Sequence, residues 1–275
     1  MELVEEHHCF DGKQATYTHD SHETGTVMRF SLFLPPRESP PLLVYLAGLT
    51  CTEETATIKL GAQRRASELG LALLMPDTSP RGLDLPDEHD DWDFGSGAGF
   101  YIDAMQPPWS NHYRMQSYVV RELLPAVSTK FAIENDLVGI WGHSMGGHGA
   151  LTLALKYPEV FKSVSAFAPI CSPTNCPWGQ KAFSRYLGTD QTVWANHDAV
   201  ELIKKGYKCP PMLIDQGEAD PFLTEQLGLD LLQKAVETTG QSATIRLHPS
   251  YDHGYFFIQS FVDDHLDHHA RYLIK

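Results

Sequence analysis

The sequence lacks the cysteine pattern of a disulfide scaffold and of a thiolate zinc site. It has five cysteines, an odd number, and no two of them have the CxxC spacing. Disulfide frameworks need an even set of cysteines, and structural zinc sites need closely spaced pairs. Because dispersed thiols persist in a reducing environment, we expect a cytoplasmic protein.

The chain also lacks a recognisable targeting or membrane segment. Residues 1–7 (MELVEEH) show no basic stretch followed by an apolar core, so we expect no signal peptide. The longest apolar runs, such as Leu42 to Leu49, are far shorter than the roughly 20 residues that a transmembrane helix needs. We therefore expect no association with a membrane.

Positive charge is scarce. Lys and Arg number 21 against 35 for Asp and Glu, which gives a formal charge of −14 with the 14 histidines neutral. A chain this acidic lacks the basic face that binds nucleic acid non-specifically or attracts a protein to anionic lipids. Such a charge also slows the approach of small anions unless local basic groups compensate. The basic side chains in or near the predicted loops are Arg81, Arg114, Lys181 and Arg185.

The composition and the periodicity that are present predict an α/β protein. Apolar residues make up 42% and charged residues 20%, and no repeat or linker divides the chain, so we expect a single domain over residues 1–275. Strands are predicted at 28–34, 42–47, 71–75, 137–141, 161–167, 212–216 and 243–247, and helices at 60–69, 116–131, 144–156, 198–205, 223–238 and 255–273. This alternation predicts a mostly parallel central sheet with helices on both faces. Residues 77–112 lack periodicity, which is typical of a long loop insertion that binds or covers a ligand.

One motif indicates a nucleophile. Residues Gly142 to Gly146 read GHSMG, the only GxSxG of the chain, between a predicted strand and a predicted helix. In this context the sharp turn strains the backbone, exposes the Ser144 hydroxyl above the sheet and leaves no room for side chains two positions away. The N–H of Met145, in the first helical turn, is free to donate to an oxyanion. A chance occurrence of the motif is the competing interpretation, and the flanking strand and helix argue against it.

A second oxyanion donor is expected after an early strand of the sheet. The predicted strand at 42–47 leads into Gly48, which lets the backbone pass close to the site. The N–H of Leu49 is therefore the second candidate donor. An ordinary β-turn is the alternative interpretation of this segment.

The acid that partners such a serine follows it in the chain. Asp220 and Glu218 both lie in the loop after the predicted strand at 212–216, where such an acid belongs. We choose Asp220 because Pro221 stiffens the loop beside it, and we keep Glu218 as the alternative. Asp215 comes too early to leave the sheet, and a buried structural carboxylate is the simpler interpretation of it.

The base is expected after the acid. His253 lies in the loop between the last predicted strand and the last predicted helix, from which an imidazole can reach the serine. His248, by contrast, closes the strand. In this arrangement His253 accepts the Ser144 proton, and Asp220 fixes the tautomer of His253 and stabilises its imidazolium form.

The last predicted helix carries three further histidines. His265 and His269 have the i, i+4 spacing of two metal ligands on one helix face, and His268 lies beside them. The segment has no HExxH motif and no third ligand is evident. We therefore predict a solvated helix face and no bound metal.

These motifs and their surroundings resemble the S-formylglutathione hydrolase family, which includes esterase D and belongs to the α/β-hydrolase superfamily. The resemblance runs through almost the whole chain. Its most specific segments are LAGLTC at 46–51, PDTSPRG at 76–82, GAGFYIDA at 97–104, GHSMGGHGA at 142–150, CPWGQKAF at 176–183 and YDHGY at 251–255. GxSxG alone is shared by α/β-hydrolases in general, whereas the GLTC and CPWG segments are much narrower. Gln180 departs from the family, in which a basic residue is common at that position, although Lys181 follows it.

The resemblance implies the α/β-hydrolase fold and a cytoplasmic thioesterase without a cofactor, commonly a homodimer. Such an enzyme hydrolyses S-formylglutathione to glutathione and formate in formaldehyde detoxification, and it commonly cleaves small esters. The catalytic residues of the family correspond to Ser144, Asp220 and His253, its oxyanion donors correspond to Leu49 and Met145, and its cysteine near the site corresponds to Cys51. A general carboxylesterase with the same triad and a catalytically silent binding module are the two alternatives.

The substrate pocket is expected to be small on its acyl side, because a formyl group carries only a hydrogen there. Trp178 is a candidate wall of this pocket, and ordinary aromatic packing is the alternative interpretation of it. We place Cys51 and Lys181 in the same pocket. We do not expect Cys51 to be the nucleophile, because it lacks its own His and Asp partners.

Overall fold

The computed structural model describes residues 1–274 and is organised around one nine-stranded sheet. The strands are β1 Glu2–Cys9, β2 Gly12–Asp20, β3 Val27–Leu34, β4 Pro41–Leu46, β5 Ala72–Pro76, β6 Glu134–His143, β7 Phe161–Phe167, β8 Met212–Gly217 and β9 Ala243–His248. Their order is β1-β2-β3-β5-β4-β6-β7-β8-β9. The six strands from β5 to β9 in this order pair in parallel, and β1, β2 and β3 extend the sheet antiparallel. The predicted mostly parallel sheet is confirmed.

Helices cover the two faces of the parallel part of the sheet. They are α1 Glu53–Lys59, α2 Gln63–Leu69, α3 Met115–Ser117, α4 Leu124–Lys130, α5 Met145–Lys156, α6 Pro177–Tyr186, α7 Gln191–Trp194, α8 Ala199–Lys204, α9 Leu229–Thr239 and α10 Tyr255–Leu273. Helix α10 packs on β6, β7 and β8 together with α2, whereas α5 packs on β4, β6 and β7 together with α8. None of the helices described is long and apolar enough to cross a membrane.

The central strands are apolar throughout because both of their faces are covered. All six side chains of β4 and all five of β5 are buried. A strand that packs helices on both faces cannot alternate apolar with polar residues, so it becomes a short continuous apolar run. This is the pattern from which both strands were predicted, and both are confirmed.

The two N-terminal strands were not predicted. They form a hairpin in which Cys9 pairs with Gly12 across Phe10 and Asp11, both with positive φ. That is the geometry of a tight two-residue hairpin turn. The residues of β1 are almost all exposed, and the strand lies at the edge of the sheet. Its charged sequence has no apolar alternation, so the strand depends on backbone pairing with β2.

Two helical predictions need correction. The helix predicted at 60–69 begins only at Gln63, as α2, and Gly61, with φ +74°, separates it from α1, which was not predicted. The helix predicted at 223–238 begins with a π-helical turn, Leu223–Leu227, and restarts as α9 after Gly228. Helices α6 and α7 were not predicted either. The helix predicted at 116–131 is confirmed in outline: it runs without a break through α3, a π-helical turn at Tyr118–Leu123 and α4, and Pro125 lies just after the π-helical turn.

The segment at 77–112 is irregular, as predicted, apart from one 3₁₀ turn, Trp109–Asn111. It is nevertheless tightly packed, because Phe94, Phe100 and Tyr101 are almost inaccessible to solvent. The Tyr101 hydroxyl donates to the carbonyl of Ala47, at the end of β4. The segment therefore forms a wall beside the carboxyl end of the central strands.

The histidines of the last helix do not form the solvated face that the sequence led us to expect. His265 and His269 are fully buried, and His268 is largely buried. Helix α10 lies on β7, so the Ser165 hydroxyl contacts His265 Nδ1 and His269 Nε2, both at 2.8 Å, and Ser163 contacts His269 Nδ1 at 2.6 Å. Burial lowers the pKa of all three imidazoles, that of His268 to about 4. These histidines are structural members of the core.

Candidate active site

Ser144 lies at the sharp turn between β6 and α5. Its φ of 57° and ψ of −118° place a residue with a side chain in a strained part of conformational space. Three backbone hydrogen bonds hold it there: its N–H donates to the Phe167 carbonyl, and its carbonyl accepts from the N–H groups of His148 and Ile170. The predicted strand–serine–helix arrangement is confirmed.

The two glycines of the motif are required by close backbone approaches. A Cβ on Gly146 would lie 1.9 Å from the carbonyl oxygen of Leu46, and one on Gly142 would lie 2.3 Å from the carbonyl oxygen of Gly146. Both obstacles are backbone atoms of the central strands and of the turn itself. Side chains at these two positions would therefore collide with the backbone, as the sequence predicts.

Replacing Gly146 with alanine should lower the free energy of unfolding by about 3 kcal/mol or more, because β4 cannot move away as a flexible side chain could. Urea unfolding of the purified variant measures the loss. Gly82→Ala is the control, because Gly82 has φ +71° but nothing within 4 Å of its Cβ position. In this control, only the left-handed backbone conformation should lower the free energy of unfolding, by about 1–2 kcal/mol. A Gly146→Ala protein as stable as Gly82→Ala would contradict this description of the turn.

Asp220 and His253 are joined as predicted. His253 Nδ1 lies 2.6 Å from Asp220 Oδ2, and the Asp220 side chain is fully buried. The carboxylate also accepts hydrogen bonds from Gln216 Nε2 at 3.0 Å and from the Phe222 N–H at 2.8 Å. Because Nδ1 is engaged with the acid, Nε2 is the imidazole nitrogen left to exchange a proton with a reacting group.

The alternatives weighed for these positions lie elsewhere. Glu218 is exposed to solvent. His248 faces Asp215 at 3.3 Å, and Asp215 is a fully buried carboxylate that also accepts two hydrogen bonds from Arg246. Burial alone would raise the pKa of Asp215, but His265 and Arg246 beside it hold that pKa below its ordinary value. Asp215 is thus the structural carboxylate that the sequence indicated.

Backbone contacts bind the loop that carries His253 to the end of β8. The N–H of Glu218 donates to the His248 carbonyl at 3.0 Å, and the N–H of Ala219 donates to the Tyr251 carbonyl at 2.9 Å. A Cβ on Gly217 would lie 2.3 Å from that same Tyr251 oxygen. The acid and the base therefore lie on two loops that are held together independently of their own hydrogen bond.

Aromatic rings enclose the imidazole of His253. Its ring centroid lies 4.5 Å from that of His143 and 5.0 Å from that of Phe222. Trp178 packs on Phe222 at 4.7 Å, and the half-exposed Trp92 packs edge-on against Trp178 at 5.5 Å. Burial lowers the pKa of His143 far below its ordinary value, so His143 is neutral beside His253. An aromatic wall thus extends from His253 to the surface.

The expected oxyanion donors adjoin the serine turn. A Cβ on Gly48 would lie 3.3 Å from the Ser144 Cβ, so the loop after β4 is in contact with the nucleophile. That loop is fixed by hydrogen bonds from the Thr50 N–H to the Gly97 carbonyl and from the Cys51 N–H to the Gly48 carbonyl. Within residues 1–274, neither the Leu49 N–H nor the Met145 N–H donates a hydrogen bond. Both N–H groups therefore lack a partner in this part of the chain, and their role as oxyanion donors stays a prediction.

Cys51 lies on the same loop and is partly buried. Its sulfur lies 3.8 Å from the Tyr255 hydroxyl. Burial raises the pKa of its thiol, which keeps it protonated at neutral pH. Its carbonyl accepts hydrogen bonds from Thr78 and Arg81. These contacts hold Cys51 in the loop after β4, and its place in the substrate pocket stays a prediction.

The basic side chains expected to offset the acidic charge are all engaged with carboxylates. Arg81 pairs with the buried Asp77, and Arg114 pairs with Glu23. On α6, Lys181 Nζ lies 2.6 Å from Asp93 and 2.9 Å from Asp91, and Arg185 lies 3.0 Å from Asp87. The charge of Lys181 is thus compensated within the protein, and its place in the substrate pocket stays a prediction.

Three residues of this region were not singled out from the sequence. Gln216 orients the Asp220 carboxylate, Phe222 both donates to that carboxylate and packs on His253, and His143 packs on the other side of His253. The one usable signal was a polar Gln216 at the end of an apolar strand, four residues before the acid. The roles of the two rings depend on contacts between distant segments, which the sequence does not display.

The sheet and the site have the organisation of an α/β-hydrolase. The serine lies on a strand–turn–helix after β6, and the acid and the histidine follow on the loops after β8 and β9. This order of serine, acid and histidine along the chain is the one that α/β-hydrolases use.

Comparison with known proteins identifies the family within this class. The Esterase family model, described as "Putative esterase", matches residues 21–268. The chain is 47% identical over 281 aligned residues to an S-formylglutathione hydrolase of Rattus norvegicus, with 99% of each chain covered. It matches the structure of an S-formylglutathione hydrolase from Agrobacterium tumefaciens with a TM-score of 0.97 and 46% identity, covering 99% of this chain and 100% of that one. The chain belongs to the S-formylglutathione hydrolase family, and it is an enzyme that catalyses hydrolysis.

Comparison with a more distant structure shows a common fold. The fluorophosphonate-binding serine hydrolase F of Staphylococcus aureus is 19% identical, with a TM-score of 0.75 and coverage of 94% of this chain and 98% of that one. The α/β-hydrolase fold that the sequence predicted is therefore confirmed at two levels of similarity.

Proposed function

We propose that this enzyme hydrolyses S-formylglutathione to glutathione and formate, the step that releases formate in formaldehyde detoxification. The observation that carries the proposal is the similarity to S-formylglutathione hydrolases along 99% of the chain. It is supported by a serine at a strained turn, a buried acid hydrogen-bonded to a histidine, and two free backbone N–H groups.

In the acylation step, the Ser144 oxygen attacks the formyl carbon while His253 Nε2 accepts the serine proton. The carbonyl oxygen becomes an oxyanion, which the N–H groups of Leu49 and Met145 stabilise. The carbon–sulfur bond then breaks, and His253 returns its proton to the departing glutathione sulfur. Asp220 holds the imidazole through Nδ1 and stabilises its charged form.

In the deacylation step, a water molecule replaces the thiol. His253 accepts a proton from this water as it attacks the formyl carbon of the Ser144 ester, through the same oxyanion site. The tetrahedral intermediate collapses to formate, and the proton returns to the serine oxygen. No cofactor takes part in either step.

The acyl side of the pocket needs to accommodate only a hydrogen atom. Trp178 and Phe222, which continue the aromatic wall from His253, are the side chains that we assign to its boundary. An acyl group larger than acetyl would have to displace these packed rings, which is costly in a close-packed interior. We therefore assign the enzyme to small acyl groups.

The test is the specificity constant kcat/KM for S-formylglutathione against p-nitrophenyl acetate and S-lactoylglutathione. We expect kcat/KM to be at least roughly 100-fold higher for S-formylglutathione than for either competitor. The reason is that p-nitrophenyl acetate has a small acyl group but no glutathione, whereas S-lactoylglutathione has glutathione but a larger acyl group. Equal or higher values for p-nitrophenyl acetate would indicate a general carboxylesterase on the same residues. An enzyme inactive on all three would be the silent binding module.

The same proposal includes the setting of the enzyme. We assign it to the cytoplasm as a homodimer that acts on a small molecule, without nucleic acid or membrane partners. The support is the set of free thiols at all five cysteines, the acidic net charge and the resemblance to its family. Sedimentation of the purified protein at micromolar concentration measures the oligomeric state.

A further inference from the structure

The proposed substrate is an anion, and the basic residues near the site are already paired with carboxylates of the protein. Glutathione carries two carboxylates and one ammonium group, and the protein carries a net charge of −14. Arg81, Arg114, Lys181 and Arg185 are each paired with a carboxylate of the protein. A positive group without such a partner is needed near the mouth of the site to hold an anionic substrate.

Lys59 meets this description. It is the last residue of α1, which begins just after the loop that carries Leu49 and Cys51, and its side chain is exposed. Among the residues that the structure describes, no carboxylate lies within 4.0 Å of its Nζ atom. Its backbone is held in place, because its carbonyl accepts a hydrogen bond of 2.7 Å from Gln259 on α10.

Two aromatic rings lie between Lys59 and His253. Its Nζ lies 6.0 Å from the ring centroid of Tyr255, and that ring lies 6.0 Å from the ring of His143, which packs on His253. The Tyr255 hydroxyl also contacts the Cys51 sulfur at 3.8 Å. The positive charge of Lys59 opposes the rise that burial causes in the pKa of Cys51, so its field reaches the wall of the site.

The surface around Lys59 suits a flexible peptide-like ligand. Ile58, which precedes Lys59, is 71% exposed, and Phe256, which follows Tyr255, is 85% exposed. A tripeptide in extended form spans about 10 Å, so a ligand whose sulfur is at the serine has a terminal carboxylate well away from the reacting atoms. The exposed apolar side chains can contact the methylene groups of such a peptide, while the unpaired Lys59 ammonium group contacts its carboxylate.

We propose that Lys59 binds a carboxylate of the glutathione part of the substrate and thereby selects anionic thioesters over neutral ones. This inference rests on the proposed function. Lys59 touches no reacting atom, so it contributes to the binding of the substrate and leaves the chemistry at Ser144 unchanged.

The test compares two formyl thioesters, S-formylglutathione and the neutral S-formyl-N-acetylcysteamine, in the wild type and in Lys59→Met. Lys234→Met is the matched control, because Lys234 is an exposed lysine of α9 and its loss changes the net charge equally. We expect Lys59→Met to raise KM for S-formylglutathione about tenfold with little change in kcat, the size of a lost charge-assisted hydrogen bond. Hydrolysis of the neutral thioester should stay unchanged, and Lys59→Arg should keep most of the preference.

Salt provides a second readout. The preference of the wild type for S-formylglutathione should decline as salt is added, and that of Lys59→Met should not. An unchanged ratio of the two substrates in Lys59→Met, or an equal loss on both, would overturn the role of Lys59 while the proposed function stands. A wild type that cleaves neither formyl thioester but hydrolyses p-nitrophenyl acetate would overturn the proposed function and this inference with it.

Discussion

Replacing Ser144 with alanine should lower kcat for S-formylglutathione by at least about 10⁴-fold, the order of loss seen when a triad nucleophile is removed. The backbone of the strained turn at Ser144 is held by three hydrogen bonds that do not involve the side chain. The variant should therefore fold normally. Steady-state hydrolysis of S-formylglutathione, with thermal unfolding as a check on folding, measures the effect.

Cys51→Ser is the matched control for this prediction. Cys51 lies on the neighbouring loop, and Cys51→Ser replaces its sulfur by oxygen, but its thiol is protonated and has no paired histidine and acid of its own. We expect Cys51→Ser to keep most of its activity. An active Ser144→Ala enzyme combined with an inactive Cys51→Ser enzyme would move the nucleophile to the cysteine.

Acid should destabilise this protein steeply below pH 6.5. Burial lowers the pKa of seven histidines: His19, His143, His148, His197, His265, His268 and His269. In the unfolded chain these groups take up protons near their ordinary pKa of about 6.5, while in the folded protein they stay neutral. The stability they provide is therefore complete above pH 6.5 and declines as the pH falls toward the folded pKa values.

The size of the effect follows from the lowest of these pKa values. The pKa is about 3 for His148 and for His197, and about 4 for His268. Each such group approaches a cost of about 1.4 kcal/mol per pH unit below 6.5, so the three together cost about 5 kcal/mol between pH 6.5 and pH 5. Below pH 4, protonation of Asp215 adds to the loss, because His265 and Arg246 lower its folded pKa.

Urea unfolding at a series of pH values measures this loss directly. The slope of the free energy of unfolding against pH gives the number of protons taken up on unfolding, and we expect at least three at pH 5. A slope that corresponds to one proton or fewer would contradict the burial of these imidazoles. The internal control is the slope between pH 6 and pH 7.5, which should fall as the pH rises, because the histidines then become neutral in the unfolded chain as well.

The serine turn could be predicted because its determinants are local. Strand, glycine, serine, glycine and helix follow one another within a few residues, and the steric need for Gly142 and Gly146 arises from that turn and from β4. The positions of Asp220 and His253 could be predicted because loops after parallel strands meet at one edge of the sheet. In each case the relevant geometry follows from the order of elements along the chain.

The features that could not be predicted depend on distant partners. Strand β1 is polar and exposed, so only its pairing with β2 makes it a strand. His265 and His269 resemble surface residues in sequence, but Ser163 and Ser165 on β7 provide the polar partners that let them be buried. The pairing of Lys181 with Asp91 and Asp93 likewise joins segments almost 90 residues apart. Such contacts exist only once the chain has folded.

In the proposed reaction, the formyl group is bound covalently to Ser144 before water releases it. The most direct measurement is acid quenching of the enzyme during turnover of S-formylglutathione, followed by proteolysis and mass spectrometry of the peptides. We predict one formyl group on the peptide that contains Ser144, on the serine oxygen, and none on the same peptide of Ser144→Ala. A formyl group on Cys51, or continued turnover with no acylated peptide at all, would contradict the account.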